Sequence, residues 1–407
     1  MPIYLDNNAT TKPCDEAIAA AETMMHENWH NPSSVHRAGQ EARYQIELAR
    51  KSVASLVGAR ARQVTFTSGA TESIDLAIRG VLAVAQARSD TSPLLLTTAL
   101  EHEAVRDLTE ELGREGTADR RLLTLDRYGR IDAQEAVQAI SNLRPAIVSV
   151  QWANNETGVI QPIREIGRAC REAGSLFHTD ATQWVGKLPC AIDWGDHAAE
   201  TNPDSVPIDL LSLSAHKFHG IKGAGALVTS RRVKLKPRLL GAQELGRRAG
   251  TEATLAIAAM GTAADAAQRW MQDPDARAQI AILRDRLEQS LLEQVPGASI
   301  NGVDPKDHST PARLWNTTNI AFPGVEAEAL LLQLSERGVY ASAGAACSSG
   351  SLDPSPVLLA MGIDETLAHG SVRFSLSRHT TRQEVDQAIP LIVEAVKRVQ
   401  QIAPIHP

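Results

Sequence analysis

The sequence contains few cysteines, no long apolar run and no excess of positive charge. Its 407 residues include four cysteines, and no pair of them has the spacing of zinc or iron–sulfur ligands. So few cysteines in a chain of this length do not make a disulfide framework. The formal net charge of -7 argues against a nucleic-acid surface or a polybasic membrane patch, so neither partner is expected. No apolar segment is long enough to span a bilayer.

Signals for export and for nucleotide binding are missing as well. The first residues, MPIYLDNNATTKP, include neither the basic nor the apolar region of a secretion signal, so the expected location is the cytoplasm. No predicted strand is followed by a GxGxxG or P-loop pattern, which disfavours a plain nucleotide-binding module. The contents of 43% hydrophobic and 22% charged residues are typical of a soluble globular protein.

Strand and helix patterns alternate along the chain between residues 60 and 230. Apolar strand patterns occur at residues 63–67, 94–98, 147–150, 176–179 and 210–213. This alternation predicts an α/β fold with a mostly parallel sheet and helices on both faces. From about residue 262 long helical patterns dominate instead. We therefore predict a large domain over residues 15–261 and a smaller α+β domain formed by residues 1–14 and 262–407.

Polar and small residues follow the ends of most of these predicted strands. Asp180 follows strand 176–179, His102 lies after strand 94–98, and a glycine turn at residues 68–72 leads into a helix. Because the carboxyl ends of parallel strands lie at one edge of a sheet, we expect these side chains to meet there. Each feature also has an ordinary structural explanation, such as a helix cap for Asp180 or a structural role for the histidine.

Lys217 stands just past the strand at residues 210–213, in the run Ser214-Ala215-His216-Lys217. Burial lowers the pKa of a lysine, and a neutral amine can attack a carbonyl to form a Schiff base, although a lysine in a surface loop is the alternative. A glycine turn that opens a helix presents unpaired backbone N–H groups to a phosphate. Together with an acid that keeps a ring nitrogen protonated, these features fit pyridoxal phosphate.

Two further residues stand in the carboxyl-terminal part of the chain. The segment 341–351 consists almost entirely of small residues and carries Cys347. A thiol on such a loop is open to oxidation, which favours a function over a linker with an incidental cysteine. Arg373, in a predicted strand at residues 372–376, could bind a carboxylate through two parallel hydrogen bonds or could form a surface ion pair. For the remaining cysteines we expect packing roles: Cys14, Cys170 and Cys190.

These motifs, in this order, resemble those of the cysteine desulfurases, which belong to the class V aminotransferase family and have the type I pyridoxal-phosphate fold. Among the desulfurases the sequence is most similar to the nitrogen-fixation type, with the housekeeping type as a near neighbour. The similarity runs along the whole chain in the segments YLDNNATT, NPSSVH, TSGATES, LEHEAV, WANNETG, FHTDATQ, SAHKFHG, RRAGTE, AGAACSSGS and VRFSLSRHTT.

The resemblance implies a cofactor-binding role for residues of the large domain. Lys217 would form the Schiff base with pyridoxal phosphate. Asp180 would pair with the pyridine nitrogen, Gln183 with the phenolic oxygen, and His102 would stack on the ring. The other implied cofactor-binding residues, most of them around the phosphate, are Ala70, Thr71, Ser214, Ala215 and His216. Thr251 would reach the phosphate of the other subunit in a homodimer.

The resemblance also implies the reaction and its partners. Asn154 and Arg373 would lie near the cofactor and the carboxylate of the substrate L-cysteine. Cys347 would be the nucleophile that receives the sulfur, leaving L-alanine, and would pass it as a persulfide to an acceptor or an iron–sulfur scaffold protein. Nitrogenase maturation is the implied pathway. No resident metal is expected, although the Cys347 persulfide could ligate an iron–sulfur cluster transiently.

Departures from the family pattern leave alternatives open. Ala242 stands where the family usually has glycine, Trp184 stands where smaller residues are usual, and the polar segment 193–207 is longer than typical. Another pyridoxal-phosphate enzyme of this fold is one alternative, either a selenocysteine lyase or an aminotransferase. Others are a housekeeping desulfurase for general cluster assembly or tRNA thiolation, and a non-catalytic scaffold that has lost the cofactor.

Overall fold

The computed structural model describes residues 2–195, 205–303, 312–343 and 353–402. Its strands are β1 Ile3–Tyr4, β2 Val64–Thr67, β3 Leu94–Thr97, β4 Asp119–Leu122, β5 Ile147–Ser149, β6 Leu176–Asp180, β7 Ile192–Asp193, β8 Val206–Pro207, β9 Leu210–Ser214, β10 Gly225–Thr229, β11 Ser299–Ile300, β12 Thr317–Ala321, β13 Val339–Tyr340 and β14 Ser371–Ser375. Its α-helices are α1 Asp15–His26, α2 Arg37–Leu56, α3 Ala70–Gln86, α4 Glu103–Arg114, α5 Ala133–Leu143, α6 Ile163–Ala173, α7 Thr254–Met271, α8 Ala276–Gln294, α9 Ala327–Glu336, α10 Pro356–Ala360, α11 Glu365–His369 and α12 Arg382–Ile402.

A sheet of seven strands, in the order β2-β10-β9-β6-β5-β3-β4, forms the centre of the larger part of the molecule. The pairs from β4 to β9 are parallel, whereas β10 is antiparallel to both β9 and β2. A parallel crossover needs about a dozen residues or more, and the connection between Ser214 and Gly225 is too short for one. The predicted mostly parallel α/β fold is confirmed, with β10 as the exception that this short connection causes.

Helices cover both faces of this sheet, because successive strand residues are buried on opposite sides. Leu95 packs with α3 and α4, while its neighbour Leu96 packs into the core that includes α2, α6 and α7. Both leucines are essentially inaccessible to solvent. Burial on both faces is the reason why the parallel strands read as continuous apolar runs in the sequence.

A second core surrounds the antiparallel sheet β11-β12-β14 and the helices α8, α9 and α12. The amino-terminal residues Ile3 and Leu5 are buried in this core, and β1 pairs with β13 beside it. Close to the chain's other end, α10 and α11 pack instead around Leu100, which follows β3 of the large sheet. The segment with α10 and α11 therefore contacts the large sheet close to the carboxyl end of a parallel strand.

The domain boundary expected between residues 261 and 262 falls inside α7. The later half of α7 packs with α1 and α2, and a methyl group on Gly261 would lie 2.5 Å from the Cα atom of Ala49. Such a close approach of two helices belongs to one core. We therefore propose that the large domain extends to the end of α7 and that the small domain resumes at α8.

The polar segment 193–207 begins and ends in the short strands β7 and β8, which pair with each other in parallel. Residues 196–204 lie outside the described residues. In the described part of the chain, no helix combines the length and the apolar character needed to cross a membrane.

Candidate active site

A cavity of about 1030 Å³ opens at the carboxyl ends of β3, β5, β6 and β9. Residues that directly follow these strands line it, because parallel strands end at the same edge of a sheet. The glycine turn between β2 and α3 borders the cavity as well. The predicted site residues that line it are Ala70, Thr71, His102, Asp180, Gln183, Ser214, His216, Lys217 and Arg373.

Lys217 ends a short 3-10 turn, Ala215–Lys217, that follows β9. Its Nζ atom donates hydrogen bonds to the backbone oxygens of Asn8 and Ala9, at 2.6 and 2.8 Å. The amine is thus half-buried and held at the cavity wall by the amino-terminal segment. That segment therefore forms part of the site.

Asp180 and Gln183 stand beside this lysine. Asp180 is the last residue of β6 and is buried, and its Oδ1 atom accepts a hydrogen bond from the Thr182 backbone N–H at 3.0 Å. Gln183 Nε2 donates to the Asn8 backbone oxygen at 3.0 Å, the same oxygen that Lys217 contacts. The Asn8 carbonyl therefore joins two of the predicted cofactor-binding residues.

His102 caps α4 and also faces the cavity. Its Nδ1 atom accepts a hydrogen bond from the Ala104 backbone N–H at 3.1 Å, so Nδ1 carries no proton. Burial lowers the pKa of His102, against the attraction of Asp180. A neutral imidazole with a fixed orientation can lie against a flat ring without bringing a second positive charge into the site. The structural and the functional interpretation of this histidine are therefore compatible.

The amino-terminal end of α3 borders the cavity without a side-chain cap on its first turn. Ser214 and His216 come to the same side of the cavity from the end of β9. Burial, with Lys217 and Lys222 nearby, lowers the pKa of His216 to about 4, so this ring is neutral at pH 7. Backbone N–H groups, a hydroxyl and a neutral imidazole form a donor set that suits a phosphate.

Gly225 makes this arrangement possible. A methyl group at this position would lie 2.5 Å from the carbonyl carbon of Gly69 and 2.8 Å from the Leu213 oxygen. The first residue of β10 therefore passes directly against the turn that opens α3. Only glycine allows this approach without displacing the backbone that lines the cavity.

Arg373, in the middle of β14, is buried and reaches the cavity from the small domain. Its Nη2 atom lies 2.7 Å from Asp6 Oδ1, and its Nη1 atom donates to the Asn155 oxygen at 3.1 Å. The guanidinium is buried and Asp6 is only partly exposed, so the pair differs from the surface ion pair considered as the alternative. Asp6 and Asn155 orient the guanidinium towards a space shared by both domains.

Asn154, expected to contact cofactor and substrate, does not line the cavity. Its Oδ1 atom accepts from the backbone N–H groups of Glu156 and Thr157, both at 2.8 Å, and its Nδ2 atom donates to the Leu100 oxygen. These bonds fold the turn after β5, which places Asn155 and Glu156 in the cavity wall. The sequence correctly placed Asn154 after a strand, but its side chain points into the protein and not into the cavity.

The remaining predicted residues also lie away from the cavity wall or cannot be placed. Ala215 is completely buried, and Thr251 is exposed and does not line the cavity of its own chain. Cys347 lies outside the described residues. The chain on both sides of it adjoins the site: Ser342 pairs with the backbone of Arg373, and Asp353 lines the cavity.

Several residues that line the cavity were not identified from the sequence. Glu101 is fully buried between Thr98 and Gln151, and burial raises the pKa of its carboxyl to about 8. Glu156 accepts a hydrogen bond from Ser355 Oγ at 2.6 Å, and burial raises its pKa too. A charged residue shortly after an apolar strand was the available signal for Glu101.

A protein-family model described as aminotransferase class-V matches residues 3–388. Among curated proteins, the chain is 43% identical over 403 residues to "Cysteine desulfurase 2" of Trichormus variabilis, covering 99% of this chain and 95% of that protein. It is 42% identical over 404 residues to "Cysteine desulfurase NifS" of Azotobacter vinelandii, covering 99% and 94%.

Solved structures agree with these relatives. A structure titled "NIFS-LIKE PROTEIN" superposes with a TM-score of 0.84 at 31% identity and covers 98% of this chain and 100% of that one. Another, titled "SspA in complex with cysteine", has a TM-score of 0.75 at 31% identity and covers 93% and 99%. Both likenesses cover more than nine-tenths of this chain.

Proposed function

Because this chain belongs to the aminotransferase class-V family, we propose that it is a pyridoxal-phosphate-dependent cysteine desulfurase, which removes sulfur from L-cysteine and leaves L-alanine. The observation that carries the proposal is the half-buried amine of Lys217 in a cavity that Asp180 and Gln183 also line. Relatives named cysteine desulfurase, similar over nearly the whole chain, support the same reaction.

The residues of the cavity fit pyridoxal phosphate. Lys217 would hold the aldehyde, Asp180 the ring nitrogen, and the first turn of α3 with Ser214 and His216 the phosphate. Thr182 supports the fit, because this residue lines the cavity and its buried hydroxyl has no hydrogen-bond partner among the described residues. When bound, the protonated pyridine ring draws electrons from the α-carbon of an attached amino acid.

The chain's own residues would bind the substrate and move its protons. Arg373 would hold the substrate carboxylate, and its bond to Asp6 keeps the guanidinium oriented while the site is open. Lys217 Nζ would take the proton from the substrate α-carbon, because it lies in the cavity and, when neutral, has a free electron pair that can accept a proton. Asp180 would keep the proton on the ring nitrogen, and the neutral His102 would exclude water from one ring face.

Cys347 would accept the sulfur. Its thiolate would attack the substrate sulfur, so that a sulfur–sulfur bond forms as the carbon–sulfur bond breaks, and the former β-carbon takes up a proton to give alanine. The positions of Ser342 and Asp353 support this role, since Ser342 pairs with the backbone of Arg373, which lines the cavity, and Asp353 lines the cavity itself. For the next acceptor we propose an iron–sulfur scaffold protein, as the relative named NifS suggests, with nitrogenase maturation as the pathway.

Product analysis of the parent protein tests this function. We expect alanine and, with a reducing thiol present, sulfide in equal amounts from L-cysteine. Transfer of the amino group to a keto acid, without release of sulfide, would instead identify an aminotransferase. A colourless protein that does not turn yellow with pyridoxal phosphate would contradict the proposal altogether.

We further propose a homodimer in which Thr251 serves the partner's site. Thr251 is exposed and does not line the cavity of its own chain, although Arg248 in the same loop pairs with Glu72 of α3 at 2.7 Å. That ion pair holds the loop beside the outer side of the helix whose amino-terminal end would bind phosphate. Two identical subunits can exchange such loops across a two-fold axis.

Subunit mixing distinguishes the two arrangements. If Thr251 acts across the interface, hybrids of Lys217→Ala and Thr251→Ala subunits contain one fully intact site. After random exchange of equal amounts, about one quarter of the parent's sites should then retain cofactor through dialysis. An unmixed sample of each variant is the control. Proven subunit exchange without restored cofactor retention would place Thr251 in its own chain's site.

A further inference from the structure

Lys187 is a buried lysine directly behind the cavity. Only 5% of its surface is exposed, and no carboxylate of the described residues lies within ion-pair distance of its Nζ atom. Its two hydrogen-bond partners are side-chain amide oxygens: Gln183 Oε1 at 2.6 Å and Asn8 Oδ1 at 2.9 Å. Burying an amine without a counterion is costly, and an apolar side chain would fill the same space at lower cost.

The orientation of both amides follows from their other partners. Asn8 Nδ2 donates to the backbone oxygen of Asn155 at 3.0 Å, and a carbonyl can only accept, so the Asn8 oxygen is the atom that faces Lys187. Gln183 Nε2 donates to the backbone oxygen of Asn8, so its oxygen also faces Lys187. Lys187 therefore donates to both amides, and it has enough hydrogens to do so whether it is charged or neutral.

The surroundings of Lys187 make this arrangement sensitive to charge. Burial, together with the positive charges of Lys217 and Arg373, holds the pKa of Lys187 well below its ordinary value. Burial lowers the pKa of the neighbouring His219 imidazole, and the positive charge of Lys187 lowers it further. No acid among the described neighbours stabilises the ammonium. The two hydrogen bonds of Lys187, rather than its charge, are therefore the basis of its role.

The contacts of Lys187 lead directly to the site. With its oxygen bound to Lys187, the Gln183 amide turns its nitrogen towards the cavity side. One of the two Nε2 hydrogens goes to the Asn8 oxygen, and the other has no acceptor in the described part of the chain. That N–H is available to an oxygen of a ligand. The same Asn8 oxygen receives Lys217, so Lys187 also fixes the residue that anchors the reactive amine.

We propose that Lys187 is a positioning residue, which holds the Gln183 amide with its nitrogen towards the cavity and holds Asn8 in the position where its carbonyl binds Lys217. The proposal rests on the proposed function in one respect, namely that the ligand presents an oxygen to Gln183. Without Lys187, the Gln183 amide is free to rotate and to present its oxygen to the cavity, where it would repel such a ligand.

A double-mutant cycle of Lys187→Met and Gln183→Ala tests this chain of contacts. Gln183→Ala should weaken the equilibrium binding of pyridoxal phosphate by about tenfold, because it loses the oriented N–H, and Lys187→Met should weaken it at least as much, because Asn8 loses its anchor as well. The double variant should lose about as much as Lys187→Met alone, rather than the product of two independent losses. Both single variants should also shift the pH midpoint of the visible absorption band in the same direction, and the double variant should shift it no further.

Arg284→Met is the matched control, because Arg284 is a buried cation in the small domain that donates to the Leu314 oxygen at 2.7 Å. It should lower the unfolding temperature without moving the absorption band. If Lys187→Met does not fold, Lys187→Gln takes its place, since it keeps a donor and should retain more of the affinity. Unfolding of both Lys187 variants, or additive losses in the cycle, would overturn the proposal. A parent protein that binds no pyridoxal phosphate would instead contradict the proposed function.

Discussion

Changing Lys217 to alanine should abolish covalent attachment of pyridoxal phosphate and reduce cysteine turnover by roughly 10³-fold or more. The amine does two things in the proposed mechanism, since it holds the aldehyde and carries the proton of the substrate α-carbon. Its hydrogen bonds to the oxygens of Asn8 and Ala9 hold it at the cavity wall, and no neighbouring backbone group can replace it. The fold should survive, because the side chain is only half-buried.

Borohydride reduction followed by peptide mapping measures this directly. In the parent protein the reduced adduct should lie on the peptide that contains Lys217, and it should vanish in Lys217→Ala. Lys51→Ala, at an exposed position on α2, is the control and should keep both the adduct and the turnover. An adduct on Lys187 in the parent protein would contradict the assignment, and Lys187 is the informative alternative because burial holds its pKa well below the ordinary value.

Changing Cys347 to alanine should leave the fold and the yellow colour intact but reduce alanine and sulfide production by roughly 10³-fold or more. The described thiols are poor nucleophiles, because burial raises the pKa of Cys14 and Cys170, and raises that of Cys190 to about 12. Since the thiolate is the attacking form, these three cannot substitute for Cys347 at neutral pH.

Alkylation after incubation with cysteine gives a second measurement, because a trapped persulfide should be found on Cys347 and should be absent from Cys347→Ala. Single alanine variants of the other cysteines are matched controls, and each should retain most of the turnover per folded molecule. Parent-like turnover in Cys347→Ala would mean that the enzyme expels sulfide without a protein nucleophile.

The positions of Asp180, His102 and Lys217 could be read from local sequence because each follows an apolar strand pattern. Once those strands are parallel neighbours, their carboxyl ends must lie together, and the cavity at that edge follows. Asn154 shows the limit of this argument. Its place after β5 was correctly inferred. Whether its side chain faces the cavity depends on the hydrogen bonds of the following turn, and these bonds direct the side chain into the protein.

The domain boundary shows a related limit. The hydrophobic pattern of α7 indicates a helix but not the core against which that helix packs. Its contact with α1 and α2, made close by Gly261, is the reason why we propose that it belongs to the large domain. The hydrophobic pattern of a helix shows which of its faces is buried. It does not show which surface packs there, and for α7 that surface includes Ala49, far earlier in the chain.

For this protein, local patterns and motif order were sufficient to infer the class of fold, the cofactor and the lysine that would hold it, because strand ends and their following turns are short-range features. The roles of Asn8 and Lys187 were not accessible in this way. Asn8 and Lys217 are 209 residues apart and meet through a single backbone oxygen. Lys187 looks in sequence like any exposed charge after a turn, and it is the packing of both domains around it that removes water and leaves only amide oxygens within its reach.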